Sequence, residues 1–347
     1  QEIDFQAKAN RHIFVTGKSG SGKTVAISQI IASLRNLDEK IVIFDSSDSF
    51  TKEELTRNLS EDFINNYVAF YNLEIEKLPI NPFLFNDTLR KTEIKNRITS
   101  ILSASFADLT QNQINTLKQA VFETLKKDEN SFDIYSLIDT LSSDNGDGNG
   151  RVKKIICNKL MPLVEDIIEK EPINQTWYDF IENSNDIIIL SMANNSNFSG
   201  NKLIDLLLAS LFIYQRENAD RHLNIVIDEI QSQNLASNGP ITKVLKEGRK
   251  YQMSLLYATQ TISKSSGEKA KILKQAGTSI YFKPDITSID SIAEFLHLNN
   301  RDKYKLDELK VGQCFIQGDI YNSSLDMNVQ TVIKGNIYTH YNNFNNR

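Results

Sequence analysis

HIFVTGKSGSGKTVAISQIIASL, residues 12–34, decides the fold. A short apolar run, His12 to Thr16, leads into Gly17-Lys18-Ser19-Gly20-Ser21-Gly22-Lys23-Thr24, which matches G-x-x-x-x-G-K-[ST]. Apolar residues then recur at helical spacing, Val25, Ile27, Ile30, Ile31 and Leu34. Strand, glycine-rich loop and helix in that order make a phosphate cradle. The glycines let backbone N–H groups turn inward, and the helix offers its positive amino-terminal end. Gly17, Ser19, Gly20, Ser21, Gly22, Lys23, Thr24 and Val25 are the expected phosphate contacts. Lys23 would bridge the β- and γ-phosphates as a point charge, and the Thr24 hydroxyl would ligate Mg²⁺.

Outward from this unit, IVIFD (41–45), YVAFY (67–71), DIIIL (186–190), LNIVID (223–228), MSLLYA (253–258) and TSIYF (278–282) are short β-branched or aromatic runs without polar alternation. Such strands are buried on both faces, as in a parallel sheet. Helical stretches at 201–216, 240–250 and 266–275 separate several of them. The expected fold class is therefore α/β: a doubly wound, mainly parallel sheet with helices on both faces. From about Asp87 to Phe180 the pattern turns helical with polar spacers, which reads as an inserted helical subdomain at 87–180 between core segments 1–86 and 181–347. GQCFIQGDI and NVQTVIKG suggest a final strand pair before an Asn-rich tail expected to fray.

With 40% hydrophobic and 24% charged residues, the 347-residue chain is neither collagen-like nor wholly disordered. Two cysteines far apart, Cys157 and Cys314, argue against a disulfide framework or a structural zinc site and for the cytosol. LIDLLLASLFIY (203–214) is too short for a membrane span and carries Asp205, and nothing resembles a signal peptide. A cytoplasmic protein without a membrane segment is expected. Net charge is −5, yet nine Lys/Arg between Ile241 and Lys283 face only Glu247 and Glu268, a local balance of +7. That run hints at a phosphate-backbone partner and is equally the pattern of a solvated helix face.

Hydrolysis needs a second acidic site. LNIVIDEI (223–230) is an apolar strand ending in Asp228-Glu229, like a Walker B element: Asp228 would hold the Mg²⁺ shell and Glu229 would polarise the attacking water. Asp45, closing IVIFD, is a rival carboxylate but lacks an adjacent Glu, so a turn or supporting role suits it better. SSDNGDGNG (142–150) has a superficial calcium-loop look, but no acid stands twelfth from Asp144, so a surface loop is expected. His12, His222, His297 and His340 lack partners at metal-ligand spacing, and no G-x-S-x-G elbow occurs.

Taken together, GKSGSGKT, NPF (81–83) after YVAFY, IVIDE, EGRKY and ATQ resemble the HerA/FtsK superfamily of P-loop motor ATPases, which includes conjugative coupling and type IV secretion ATPases. The flavour is HerA-like, and the resemblance covers most of the chain except the helical segment. It implies a RecA-like core binding ATP and Mg²⁺, assembled as a homo-hexameric ring, moving double-stranded DNA in concert with a nuclease or other effector. It also implies that Gln260 is the polar sensor of the γ-phosphate. Arg249, with Lys250 behind it, would be the basic residue offered to a neighbour's nucleotide. Arg11 is a third basic candidate near the nucleotide. Thr261-Ile262 stands where many relatives have Arg-Pro, and a P-loop starting at Gly17 leaves no space for the β-barrel that HerA-like proteins usually carry before it. Two other functions stay open: a secretion-type ATPase acting on a protein complex, and a nucleotide-binding assembly subunit with little turnover.

Overall fold

A computed structural model describes residues 10–73, 75–85, 89–106, 108–127, 132–143, 149–167, 175–192, 197–262, 268–299, 303–322 and 327–336. The calcium-like segment at 144–148, the 337–347 tail, His340 and Lys264 of the basic run lie outside them. The strands are β1 (Ile13–Thr16), β2 (Lys40–Asp45), β3 (Val68–Asn72), β4 (Ile187–Ser191), β5 (Leu223–Ile227), β6 (Met253–Thr259), β7 (Thr278–Phe282), β8 (Gln313–Asn322) and β9 (Met327–Asn336). The helices are α1 (Lys23–Arg35), α2 (Lys52–Thr56), α3 (Glu61–Tyr67), α4 (Lys91–Ala104), α5 (Gln111–Lys127), α6 (Ile134–Ser142), α7 (Gly150–Ile167) and α8 (Trp177–Asn183). They continue with α9 (Asn197–Glu217), α10 (Pro240–Glu247), α11 (Glu268–Leu273), α12 (Ile289–Phe295) and α13 (Tyr304–Asp307).

One sheet in the order β3-β4-β2-β5-β6-β1-β7-β8-β9 carries the molecule. The first seven strands are parallel, and β8 and β9 close the edge antiparallel. The expected doubly wound α/β class is what the chain adopts. Period-two alternation explains why the strands look uniformly apolar: Val42 and Phe44 of β2 face one core cluster, while Ile41 and Ile43 face the other. Leu255 and Tyr257 of β6 divide from Leu256 and Ala258 in the same way. The thinner face is covered by α1, α2 and α3 through residues such as Ile27, Ile31, Leu55 and Ile64. The thicker face takes α9, α10 and α11, and the helices between β3 and β4 join the same cluster through Ile98, Leu117, Leu137, Leu160 and Phe180. Ile225 of β5 lies in that same cluster, so these helices and the sheet share one apolar core.

Position of the site follows from chain direction. β1 leaves through α1 over the thin face toward β2, whereas β6 reaches β7 through α11 over the thick face, so the windings diverge beside β1. A crevice at the carboxyl ends of the strands is the binding place in such sheets. At the opposite edge the starts of β1, β2, β5 and β6 are tied by a chain of polar contacts. One guanidinium nitrogen of Arg11 reaches the Glu39 carboxylate at 2.7 and 2.8 Å, and Asn224 donates to Glu39 at 2.7 Å. Ser254 donates to Asn224 Oδ1 at 2.6 Å and meets His222 Nε2 at 3.1 Å.

NPF (81–83) belongs to the thick-face core. Phe83 is buried against Phe132, and the Pro82 carbonyl accepts from Ser210 Oγ, which in turn accepts from the Trp177 indole. Cys157 and Cys314 are both buried and unbridged. Among the described residues no helix is long and apolar enough to cross a membrane.

Candidate nucleotide-binding and hydrolysis site

α1 starts without the usual devices. Thr51, Ser60 and Thr176 accept a backbone amide at the start of α2, α3 and α8, whereas α1 begins at Gly22 with no side-chain cap and no acid in its first turn. Its positive end is left for an anion. Gly22 sits at φ 109 and Gly20 at φ 72, conformations that a side chain would strain. A Cβ on Gly17 would lie 2.6 Å from Phe282 Cβ and 2.7 Å from Ser21 Oγ, so the turn closes only around glycine. Two outside contacts fix the loop: Lys18 N–H donates to Lys283 O at 2.9 Å and Gly312 N–H donates to Ser21 O at 3.0 Å. Among the described residues nothing accepts the amides of Ser19, Gly20, Gly22, Lys23 and Thr24. This is the cradle a polyphosphate would fill.

Lys23 is buried at 8% exposure, and its ammonium donates to the Lys18 carbonyl at 3.1 Å. Burial pulls its pKa down, partly offset by the negative charges of Asp228 and Glu229. The lysine and the acidic pair therefore share one electrostatic neighbourhood, although they come from different strands. They are not on adjoining strands, as their cooperation would suggest. β6 runs between β1 and β5, pairing Phe14 with Tyr257 and Ile227 with Tyr257. Cradle and acids are thus two strand spacings apart, about 10 Å, and the residue that follows the middle strand reaches the acids. That residue is Gln260: its Nε2 donates to Glu229 Oε1 at 2.7 Å.

Glu229 holds a left-handed backbone, φ 59 and ψ 47. For a residue other than glycine this costs about 1–2 kcal/mol, and such conformations concentrate at functional sites. Its carbonyl accepts from Ser232 N–H at 3.0 Å and Ser232 Oγ at 2.8 Å, while its own N–H donates to Asp228 Oδ1 at 3.0 Å. Thr24 and Asp228 would supply a hydroxyl and a carboxylate to Mg²⁺, and among the described residues no cluster of three or more His, Cys, Asp or Glu could hold a metal without phosphate oxygens. That sparse donor set suits Mg²⁺, which keeps water and phosphate in its shell.

Other candidates fall elsewhere. Asp45 is buried at the end of β2, where its carboxylate accepts the amides of Ser47, Ser49 and Phe50 at 3.0, 3.2 and 2.9 Å. Burial raises its pKa, and its work is to close a turn. Arg11 stands before β1, at the opposite edge of the sheet from Gly17, bound to Glu39. It is not near the nucleotide cradle, because a residue preceding a strand cannot reach the loop that follows it. Arg249 and Lys250 are exposed in a 3₁₀ turn (Gly248–Tyr251) before β6, again at the far edge from their own cradle. The basic run does not form one patch: Arg249 and Lys250 precede β6, whereas Lys283 follows β7 at the cradle edge and pairs with Asp307. His12 is buried and His222 half-buried, and desolvation lowers them to about 4 and about 3. Sequence reading missed Gly312 and Ser232, which carry no motif and become visible only when chain segments meet.

The sequence profile of the AAA-like domain family matches residues 1–337. No curated protein matches the chain in sequence. In three dimensions it is similar to VirB4 of Thermoanaerobacter pseudethanolicus, with TM-score 0.70, 14% identity, and 97% of this chain and 92% of that one covered. It is also similar to a bacterial conjugative coupling protein, TrwB, with TM-score 0.65, 14% identity, and 97% and 86% covered. The TrwB complex with ADP and Mg²⁺ gives TM-score 0.63 and 16% identity over 95% and 86% of the two chains.

Proposed function

The chain belongs to the AAA-like domain family, and from that premise we propose that it is a P-loop ATPase of the HerA/FtsK superfamily, a ring-forming ATP hydrolase that drives double-stranded DNA. The observation that supports this most is the junction of three strands: the cradle after β1, Asp228-Glu229 after β5, and Gln260 after β6 bonded to Glu229. Bound ATP with Mg²⁺, the pair suggested by the TrwB complex with ADP and Mg²⁺, would supply the transferable phosphoryl group and the metal that neutralises it. Within this reading the open main-chain amides of Ser19, Gly20, Gly22, Lys23 and Thr24 bind the phosphates, Gly17, Ser21 (whose amide donates to Lys18 O) and Val25 line the cradle, and Lys23 adds an ammonium. Thr24 and Asp228 hold the metal, Glu229 takes the proton from the attacking water, and Gln260 fixes the direction of the Glu229 carboxylate.

Arg249, remote from its own cradle and exposed, suits a role toward a neighbouring subunit's nucleotide in a hexamer. A trans arginine stabilises charge on the transferring phosphoryl group and makes hydrolysis depend on subunit contact. We also read 87–180 as an inserted subdomain of a RecA-like core formed by 1–86 and 181–347, and a nuclease or similar effector as the working partner, in the cytoplasm. The deciding experiment measures ATP hydrolysis with and without linear duplex at two salt concentrations. Duplex should raise turnover, and the stimulation should weaken as salt rises, because backbone phosphates are gripped through counterion release. Hydrolysis indifferent to duplex at both salts would move the reading to a secretion-type ATPase, and absent hydrolysis to an assembly subunit.

A further inference from the structure

The loop that carries Glu229 is held from outside the known motifs. Asn201 and Asp205 lie four residues apart on α9 and so share one helix face. Asn201 Oδ1 accepts from Gln233 Nε2 at 2.9 Å and lies 3.3 Å from Ser232 Oγ. Gln233 Nε2 also donates to Ser232 Oγ at 3.0 Å. A hydroxyl has one proton; with Gln233 donating into its lone pair, the proton of Ser232 goes to the Glu229 carbonyl at 2.8 Å. One turn along α9, Asp205 is buried near the Asn234 backbone amide, with burial raising its pKa to about 8. Asn234 Nδ2 in turn donates to Ala104 O at the end of α4, 3.2 Å away.

We propose that Asn201 is a positioning residue for hydrolysis: through Gln233 and Ser232 it holds the left-handed main chain at Glu229 and so aims its carboxylate. The proposal rests on Glu229 being the base. Nothing in this chain of contacts touches the phosphate cradle, so Asn201 governs turnover and leaves nucleotide affinity alone. A strained backbone persists only while its neighbours fix it, and small misplacements of a reacting group cost rate steeply.

The test compares wild type, Asn201→Ala, Asn201→Asp, Ser232→Ala, the Asn201→Ala/Ser232→Ala double variant and Lys23→Ala, in the full chain, by ATP turnover, binding of a non-hydrolysable ATP analogue, and melting temperature. Asn201→Ala should lower kcat about tenfold with analogue affinity and melting temperature within error of wild type. Asn201→Asp keeps the acceptor for Gln233 Nε2 and should recover most of that loss. The double variant should fall little below Ser232→Ala, because both act on the same carbonyl. Unchanged kcat in Asn201→Ala overturns the proposal, as does loss of kcat and analogue affinity together, or fully additive losses in the double variant. Turnover surviving Lys23→Ala would strike at the site itself. Turnover lost in Lys23→Ala but intact in Asn201→Ala would strike at the positioning role alone.

Discussion

Replacing Lys23 with methionine separates folding from ligand binding. The side chain is 8% exposed and donates one hydrogen bond, to a carbonyl of its own loop. Desolvation is the largest influence on its ammonium and outweighs the favourable charges of Asp228 and Glu229, so its folded pKa lies below the unfolded one. For a lysine this sign means that the folded state holds the proton less readily. Stability is then reduced at pH values below the folded pKa and regained as pH rises toward the unfolded value. At neutral pH the charge opposes folding, and a methionine of similar length removes that penalty. Without nucleotide, Lys23→Met should therefore melt no lower than wild type.

With nucleotide the order reverses. An ATP analogue with Mg²⁺ at a hundred times its Kd stabilises wild type by about 2.7 kcal/mol. An unfolding entropy of about 2.1 cal/mol/K per residue over 347 residues converts this to a rise of about 4 °C. The variant, having lost the Lys23 ammonium, should show a rise below 1 °C, roughly a fortyfold or greater loss of affinity at that concentration. Differential scanning fluorimetry with and without the analogue reads both arms. A variant that melts several degrees below wild type without nucleotide would show the ammonium to be a structural necessity. An equal shift in both proteins would show that it does not meet the phosphates.

Glu229→Gln should bind the analogue like wild type and turn ATP over about 10²–10⁴-fold more slowly, the usual contribution of a positioned base; a single-turnover assay checks it, and wild-type rates would remove Glu229 from that role. Arg249→Ala should be nearly inactive alone and regain activity when mixed with Glu229→Gln subunits, if the arginine serves a neighbour's site; mixtures no better than their parts argue against a trans role. Arg11→Ala leaves Glu39 buried and unpaired, so it should cost about 3–5 kcal/mol of stability while analogue affinity in the surviving folded protein stays unchanged. His12, buried, and His222, half-buried, have folded values at about 4 and about 3, so the unfolded chain binds those two protons first, against one that Asp205, raised to about 8, holds in the folded state; stability should therefore fall as pH drops from about 6.5 toward 4, and a pH series of urea melts would detect it.

Much of this architecture is legible in residues 12–34 and in the apolar runs, because strands buried on both faces leave a continuous β-branched signature and the phosphate loop dictates its own glycines. The strand boundaries agree with those runs within a residue or so. Strand order is a different matter. Nothing local in MSLLYA tells that β6 lies between β1 and β5, since order is set by crossovers. Arg11 misled for the same reason: closeness in sequence to Gly17 is distance in space when a strand runs between. The Glu229–Gln260 bond joins residues 31 apart, and the Ser232–Asn201 contact another 31 apart runs backward along the chain; neither pair has a periodic trace.

The contacts among Arg11, Glu39, Asn224, Ser254 and His222 fasten the starts of the four strands whose ends bear the cradle, Asp45, Asp228 and Gln260. A sheet riveted along one border and open along the other deforms like a hand fan. A displacement around a bound phosphate would be taken up more readily as splay between the strand tips than at the tied border. Glu229 and Gln260, joined at adjacent tips, are then a gauge of that splay: opening the fan by a fraction of a strand spacing lengthens their bond and turns the carboxylate away.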